Sequence, residues 1–121
     1  MKLKSIALLT AFALPMLSGA QNVLTSSDAQ GYFERGKLMY ENHNYVGAIH
    51  QMRRVKELSS SASLNEHADY YMALSRLERD EAGALAELRA FTAKYPSSEL
   101  MLDVLMRIAN LEFYHGNYND A

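Results

Sequence analysis

The sequence feature that most constrains the fold is a short motif that recurs near every thirty-sixth residue. Asparagine, tyrosine and a following alanine occur together at Asn44 to Ala48 and again at Asn117 to Ala121, and Ala84 lies between them. These three alanines are 36 and 37 residues apart. Because a period of this length is typical of stacked helical hairpins, the spacing predicts an all-α protein of about two and a half repeats.

The first twenty residues have the three parts of a secretory signal peptide. Two lysines precede an apolar stretch at residues 6–17, and Ser18-Gly19-Ala20 supplies the small side chains that signal peptidase requires. The apolar stretch is short for a membrane span, so we predict cleavage after Ala20 rather than retention as an anchor. The predicted domains are a signal peptide at residues 1–20, a polar lead at 21–27 and a helical domain at 28–121.

Apolar side chains at helical spacing predict five helices after the lead. Asn42-His43-Asn44, the serine-rich segment 59–63 and Pro96 mark three of the breaks between them. The break near Asp80 has no glycine or asparagine, so one continuous helix from Leu64 to Tyr95 is the alternative there. The predicted helices run from Asp28 to Asn42, Tyr45 to Leu58, Leu64 to Glu78, Glu81 to Lys94 and Glu99 to His115.

Capping signals refine the helix starts. Ser27 with Gln30, and Ser63 with Glu66, fit the capping box in which a hydroxyl and an acidic or amide side chain satisfy free N–H groups. Asp80 is predicted to cap the fourth helix.

Small residues predict where helices cross and end. Gly36 costs about 1 kcal/mol relative to alanine inside a helix, so we predict that a neighbouring helix approaches it and that Ala48 packs in the space it leaves. Gly116 and Asn117 are predicted to end the fifth helix. The apolar face of that helix would then lack a partner, which predicts that the chain is truncated at its C-terminal end or that another chain covers the helix.

The recurring pattern resembles the tetratricopeptide repeat (TPR), in which antiparallel helical hairpins stack as a solenoid. The first copy carries Tyr32, Gly36, Tyr45, Ala48 and Val55, and the last carries Leu105, Ile108, Ala109, Gly116-Asn117-Tyr118 and Ala121. A narrower resemblance is carried by Phe91 to Ser98 and Ile108 to Leu111, which are similar to repeats of bacterial envelope proteins of the BamD and YbgF type. This resemblance implies an exported, periplasmic scaffold, associated with the outer membrane or with envelope assembly, that binds proteins and catalyses nothing.

The resemblance also implies a partner-binding surface on the concave side of the solenoid. Extended peptides or partner helices are the ligands that it implies. For Tyr40 and Phe113 the alternative is ordinary packing between helices, since an aromatic stripe on a helix usually belongs to the core. The residues placed on the concave face are Phe33, Lys37, Tyr40, Asp69, Arg76, Met106, Asn110 and Phe113.

Several other functions are not supported by the composition. The net charge of −2 gives no basic face for nucleic acid, and the absence of cysteine excludes disulfides and thiolate metal sites. The histidines form no short-spaced pair, so we predict no metal and no cofactor; His43 and His115 are assigned to hairpin turns. Segment 59–63 has no nucleophile elbow, and Arg53-Arg54-Lys56 is interpreted as a solvated face rather than a phosphate site.

Two alternatives to the scaffold interpretation stay open. In the first, the chain is the N-terminal part of a larger envelope protein whose activity lies beyond residue 121. In the second, it is a structural protein that forms homo-oligomers through its unpaired last helix.

Overall fold

A computed structural model describes residues 28–120 of the chain. This part folds into five α-helices and contains no β-strand, which confirms the all-α prediction. The predicted signal peptide at residues 1–20 and polar lead at 21–27 lie outside the described residues, as does Ala121. The helices are α1 (residues 28–41), α2 (Tyr45–Leu58), α3 (Ala62–Glu78), α4 (Ala84–Lys94) and α5 (Met101–Asp120).

Each helix packs against the next one along the chain. α2 contacts α3, α3 contacts α4, and α4 contacts α5. α1 lies against α2 at Gly36, and it also reaches α3, where the rings of Phe33 and Tyr71 meet edge to face at 6.0 Å. This arrangement is compatible with a helical repeat.

The core is divided into two clusters that share α3. The first joins α1, α2 and α3 around Met52, and the second joins α3, α4 and α5 around Leu88 and Val104; all three side chains are fully buried. α3 contributes Met72 to the first cluster and Ala73 to the second. Burial of each large apolar side chain stabilises the fold by about 1.5 to 3 kcal/mol, so both clusters hold the helices in register.

The crossing of α1 and α2 is built on Gly36. A Cβ atom at this position would lie 2.7 Å from Met52 Cε and 3.2 Å from Gln51 Cβ, so α2 approaches as closely as the glycine allows. The predicted close approach is therefore confirmed. The expectation that Ala48 fills the space is wrong, because Met52, one helical turn further along α2, occupies it.

α1 ends in a Schellman motif centred on His43. Its φ of 61° is left-handed, its N–H donates to Tyr40 O at 3.0 Å, and the N–H of Asn44 donates to Met39 O at 2.8 Å. The Asn44 side chain then accepts from Gly47 N at 3.0 Å and caps α2. The predicted turn is confirmed, although the left-handed residue is a histidine rather than an asparagine.

α3 ends in a second Schellman motif, centred on Asp80 with a φ of 53°. The Asp80 N–H donates to Leu77 O at 2.9 Å and the Glu81 N–H to Arg76 O at 3.1 Å. The predicted break is confirmed and the continuous helix is excluded. The capping role is wrong, because Asp80 ends α3 and α4 begins later, after Gly83, which provides no side-chain cap.

α3 begins two residues earlier than predicted. Ser61, rather than Ser63, is its N-cap, and the Ser61 hydroxyl accepts from Leu64 N at 3.2 Å. Ser63 therefore lies inside the first turn, where it cannot form the predicted capping box with Glu66. The other predicted box includes Ser27, which lies outside the described residues.

α5 continues past its predicted end. Gly116 keeps a negative φ, and nothing lies within 4 Å of the position where its Cβ would be. Glycine and asparagine permit a helix end but do not impose one, so the helix runs on to Asp120. His115 therefore lies within a helix and not at a hairpin turn, which corrects that assignment.

Candidate functional site

α5 has two apolar faces, and a neighbouring helix covers one of them. Val104, Ile108 and Leu111 pack against Leu88 and Phe91 of α4. The second face, which we call the α5 apolar face, points away from α4. It consists of Leu102, Leu105, Met106, Ala109 and Phe113.

The α5 apolar face is exposed along three helical turns. Leu102 is 71%, Leu105 49%, Met106 59% and Phe113 63% exposed, and Ala109 is exposed between them. Single exposed apolar residues are common on protein surfaces, whereas a contiguous stripe on one helix marks an interaction site. A helix with two apolar faces normally contacts a neighbour on each of them, so a second helix would complete the packing of α5.

A second cluster of functional side chains joins α1, α3 and α5. The rings of Tyr40 and Tyr71 lie 5.5 Å apart, and those of Tyr70 and Tyr71 also 5.5 Å apart. Tyr70 Oη donates to Asp103 Oδ2 at 2.6 Å, and Arg107 Nε donates to the same oxygen at 2.7 Å. We call these five residues the tyrosine cluster. It connects the first helix of each successive pair, the side on which the resemblance implies ligand binding.

Burial and hydrogen bonding set the protonation of the tyrosine cluster. Burial raises the pKa of Tyr70, and its hydrogen bond to Asp103 raises it further. Burial also raises the pKa of Tyr40, as does the charge of Glu78. Burial acts to raise the pKa of Asp103, but hydrogen bonds from Tyr70 and Arg107 outweigh it and the pKa is lowered. Tyr40 and Tyr70 are therefore neutral at neutral pH and lie near the ionised Asp103 and Arg107.

The predicted concave residues separate into different environments. Phe33 belongs to the core at 7% exposure, and Lys37 lies over its ring at 5.4 Å. Tyr40 is half-buried in the tyrosine cluster. Met106 and Phe113 belong to the α5 apolar face, and Asn110 is exposed beside them.

Asp69 and Arg76 lie on a different side of α3 from the tyrosine cluster. Asp69 accepts from Lys56 of α2 at 2.5 Å and from Lys94 of α4 at 3.1 Å. Arg76 forms an ion pair with Glu87 of α4. Both side chains therefore face α2 and α4, whereas Tyr70 and Tyr71 face α5 and α1. The structure does not bring these two residues to the surface where the resemblance places them.

Sequence reasoning identified only Tyr40 as a site residue and missed the other four members of the tyrosine cluster. Asp103 and Arg107 are four residues apart, the spacing of an ion pair on a helix, and this signal could have identified them. Tyr70 is 33 residues from Asp103 along the chain. No local pattern connects that pair.

A cleft of about 630 Å³ beside the start of α3 contains serines and a histidine but no catalytic pair among the described residues. Ser61 Oγ caps α3, and Ser59 Oγ accepts from Ser61 N at 3.0 Å. His67 Nδ1 lies 2.9 Å from the backbone oxygen of Ser63, and no serine hydroxyl within residues 28–120 bonds to its ring. Within residues 28–120 no group of three metal-ligating side chains assembles, and no helix is long and apolar enough to cross a membrane.

Comparison with known proteins identified no relative of this chain. No protein-family model, no curated protein and no solved structure matches the chain. The functional interpretation therefore depends on the two surfaces just described.

Proposed function

We propose that this protein is an exported, non-catalytic scaffold of the bacterial cell envelope that binds other proteins through TPR-like helical hairpins. In this proposal the α5 apolar face is the main contact surface. The tyrosine cluster, which α5 shares with α1 and α3, lies next to it and supplies polar contacts. Periplasmic location and an association with outer-membrane assembly belong to the same proposal, and they derive from the predicted signal peptide and the family resemblance.

The observation that carries the proposal is the exposure of the α5 apolar face. Four large side chains on three turns of one helix are each about half exposed or more. Exposed aliphatic and aromatic groups in a contiguous row are unfavourable in water, so a protein partner that buries them would gain free energy. Met106 and Phe113 are suited to this role, because methionine adapts to irregular partners and phenylalanine contributes a large contact area.

The face favours protein over the other classes of partner. Its side chains carry no charge, so they offer nothing to the phosphates of a nucleic acid, and the chain as a whole has a net charge of −2. The stripe is also narrow and straight, which suits an amphipathic helix lying along it with anchors at three- and four-residue spacing.

A second candidate function is self-association through the same face. Ala109 lies at the middle of the stripe, with Leu105 on one side and Phe113 on the other. An antiparallel pair of α5 helices from two copies could approach closely at this alanine and place Leu105 of each copy near Phe113 of the other. The resulting protein would be a structural homo-oligomer rather than an adaptor.

A photo-crosslinking experiment tests the proposal. We would replace Met106 by a photoreactive phenylalanine analogue in the native cell, and Ala93 of α4, which is exposed on another side of the molecule, as the matched control. We expect the Met106 variant to form a discrete adduct with another protein and the Ala93 variant to form none. The mass of the isolated protein, which should begin at Gln21, tests export separately.

Each outcome of the crosslinking experiment favours one function. An adduct with twice the mass of the chain would favour self-association, and light scattering on the purified protein would then give a dimer. Equal adducts from both positions would indicate random collisions and contradict a specific surface. The absence of any adduct from Met106 would exclude the α5 apolar face as a contact surface in the cell.

A further inference from the structure

A basic cleft lies between α2 and the end of α3. It is lined by Val46, Ile49 and Glu81 and by two pairs of basic side chains, one pair from each helix. Two residues separate the members of each pair along the chain. The α2 pair is His50 and Arg53, and the α3 pair is Arg76 and Arg79. The cleft has a volume of about 190 Å³, the space of one small chemical group rather than of a nucleotide or a sugar.

The three basic residues of the sequence cluster Arg53-Arg54-Lys56 lie on different parts of the folded surface. Arg54 forms an ion pair with Glu57 and lies over the Tyr32 ring at 5.4 Å, whereas Lys56 bonds to Asp69. Their charges are thus directed to other parts of the surface. Arg53 alone among the three lines the cleft, where arginines that are distant in sequence join it.

The charges of the cleft are unevenly compensated. Arg79 pairs with Glu81 at 2.7 Å, and Arg76 pairs with Glu87 and lies 3.7 Å from Glu81. Two carboxylates therefore compensate two guanidinium groups. The Arg53 side chain is exposed and forms no ion pair or hydrogen bond with any residue of the described part. The cleft thus has one uncompensated guanidinium beside two that are held in place.

Helix stability explains part of this cluster but not all of it. Arg76 and Arg79 lie at the C-terminal end of α3, where positive side chains stabilise the helix dipole. Arg53 and His50 lie in the middle of α2, where no such effect acts. Their position opposite the α3 pair therefore calls for another explanation, and an anion bridging the two helices provides one.

We propose that this cleft binds an acidic side chain of a partner protein. The carboxylate would accept hydrogen bonds from Arg53 and from the free N–H groups of Arg79, and an adjoining apolar residue of the partner would cover Val46. Val46 is 61% exposed at the edge of the cleft, next to Ile49, so the cleft offers an apolar wall beside its cations.

The rest of the surface favours a protein carboxylate over an anionic membrane. Recognition of a membrane surface needs several basic residues spread over one face. Here the cations converge on one small cleft in a chain with 12 basic and 14 acidic residues, and Glu78 and Asp80 lie exposed close by in sequence. Short-range contact with a single anionic group suits this distribution better.

The proposal rests on the proposed function in one respect: it assigns the carboxylate to a partner protein. The cleft is formed by α2, α3 and the turn before α4, so peptide binding can be measured whether or not the α5 apolar face has a partner. A failure at Met106 in cells and a failure of the peptide at this cleft are therefore separate results.

The test is a titration of the purified protein with the peptide acetyl-Leu-Glu-Leu-Glu-amide, followed by NMR. We expect saturable shifts of the amide signals around the cleft, with a Kd on the order of millimolar. Arg53→Ala should weaken binding at least about ten-fold. Arg54→Ala removes the same charge from the next position on α2 and should leave the Kd unchanged. Thermal melting of both variants verifies that each one is folded.

Three further probes decide between the sources of the anion. The glutamine version of the peptide should not bind, and Val46→Ser should weaken binding of the glutamate version. Inorganic phosphate that binds more tightly than the peptide, or vesicles containing phosphatidylglycerol that bind through Arg53, would overturn the choice of a protein carboxylate. Absence of peptide binding, or equal losses in Arg53→Ala and Arg54→Ala, would overturn the site itself.

Discussion

α2 and α5 show how differently two apolar helices of one chain are used. In α2 most apolar residues lie on one face, and Ala48, Ile49, Met52 and Val55 are buried there against α1 and α3. In α5 apolar residues lie on two faces, and α4 covers only the face that contains Val104. An apolar face stabilises the fold only where a neighbour removes it from water. The uncovered face of α5 therefore adds little to stability and is available for function.

The largest expected difference in stability between the covered and the uncovered apolar faces comes from two matched leucine variants. Leu88→Ala removes a fully buried side chain at the contact of α4 with α5 and should cost about 2 to 5 kcal/mol in the free energy of unfolding. Leu102→Ala on the α5 apolar face, where the side chain is 71% exposed, should cost less than about 0.5 kcal/mol. Urea denaturation monitored by circular dichroism measures both values.

The same two leucine variants also test whether the α5 apolar face is uncovered in solution. If a second copy covers α5 in solution, Leu102→Ala will destabilise the protein as well, and the loss will grow with protein concentration. Equal losses at all concentrations would mean instead that the uncovered face is packed within the monomer.

Two alanine positions, one buried and one exposed, give the next largest expected difference in stability. Ala48 is fully buried, and Ala48→Leu should cost about 1 to 3 kcal/mol by overpacking the contact of α2 with its neighbours. Ala109 is exposed at the middle of the α5 apolar face, so Ala109→Leu should leave the melting temperature of the monomer unchanged. The same variant should disrupt a dimer that packs at this alanine. An unchanged melting temperature in Ala48→Leu would contradict the packing described for α2.

Local sequence signals predicted correctly the regions whose structure is determined by residues close together in the sequence. The bounds of α2 were predicted correctly because Asn44 caps its start and a serine-rich segment follows its end. Gly36 was identified correctly as a point of close approach, since only a neighbouring helix explains a glycine at that place. Its partner, Met52, was not identified, because the axial offset of two helices depends on packing over their whole length.

Signals that require a tertiary partner were misleading. Gly116 and Asn117 suggested a turn, yet no described side chain presses on Gly116 and the helix continues. Asp69 and Arg76 are seven residues apart and share a face of α3, as predicted from the helical repeat. Which neighbours that face meets could not be read from α3 alone, and it meets α2 and α4 instead of the tyrosine cluster.

Asp69 joins three consecutive helices and gives a pH-dependent prediction. Asp69→Asn should cost about 1 to 2 kcal/mol at pH 7, because it weakens hydrogen bonds from Lys56, Lys94 and Tyr95. Burial acts to raise the pKa of this carboxyl, but those three hydrogen bonds outweigh it and the pKa is lowered from 3.8. A lowered pKa in the folded state contributes stability that is present above about pH 4 and is lost as the pH falls further.

The measurement for Asp69 is the difference in unfolding free energy between the two proteins as a function of pH. The difference should be constant near neutral pH and shrink as the pH falls below about 4. Glu66→Gln, on the same helix, is the control, because the Glu66 side chain forms no hydrogen bond or ion pair within the described residues. A difference that persists at low pH would show that the Asp69 contacts do not depend on its charge.

The smallest expected effect concerns the link between the covered region and α5. Tyr70→Phe removes the hydroxyl that donates to Asp103 at 2.6 Å and should cost about 0.5 to 1.5 kcal/mol, since Arg107 still satisfies the carboxylate. Tyr114→Phe is the matched control, because Tyr114 is 62% exposed and its hydroxyl should contribute nothing measurable. Hydrogen exchange adds a local measurement. If the Tyr70–Asp103 bond holds α5 against α3, Tyr70→Phe will speed exchange in α5 more than in α2, whereas uniform acceleration would mean that α5 unfolds only together with the rest of the molecule.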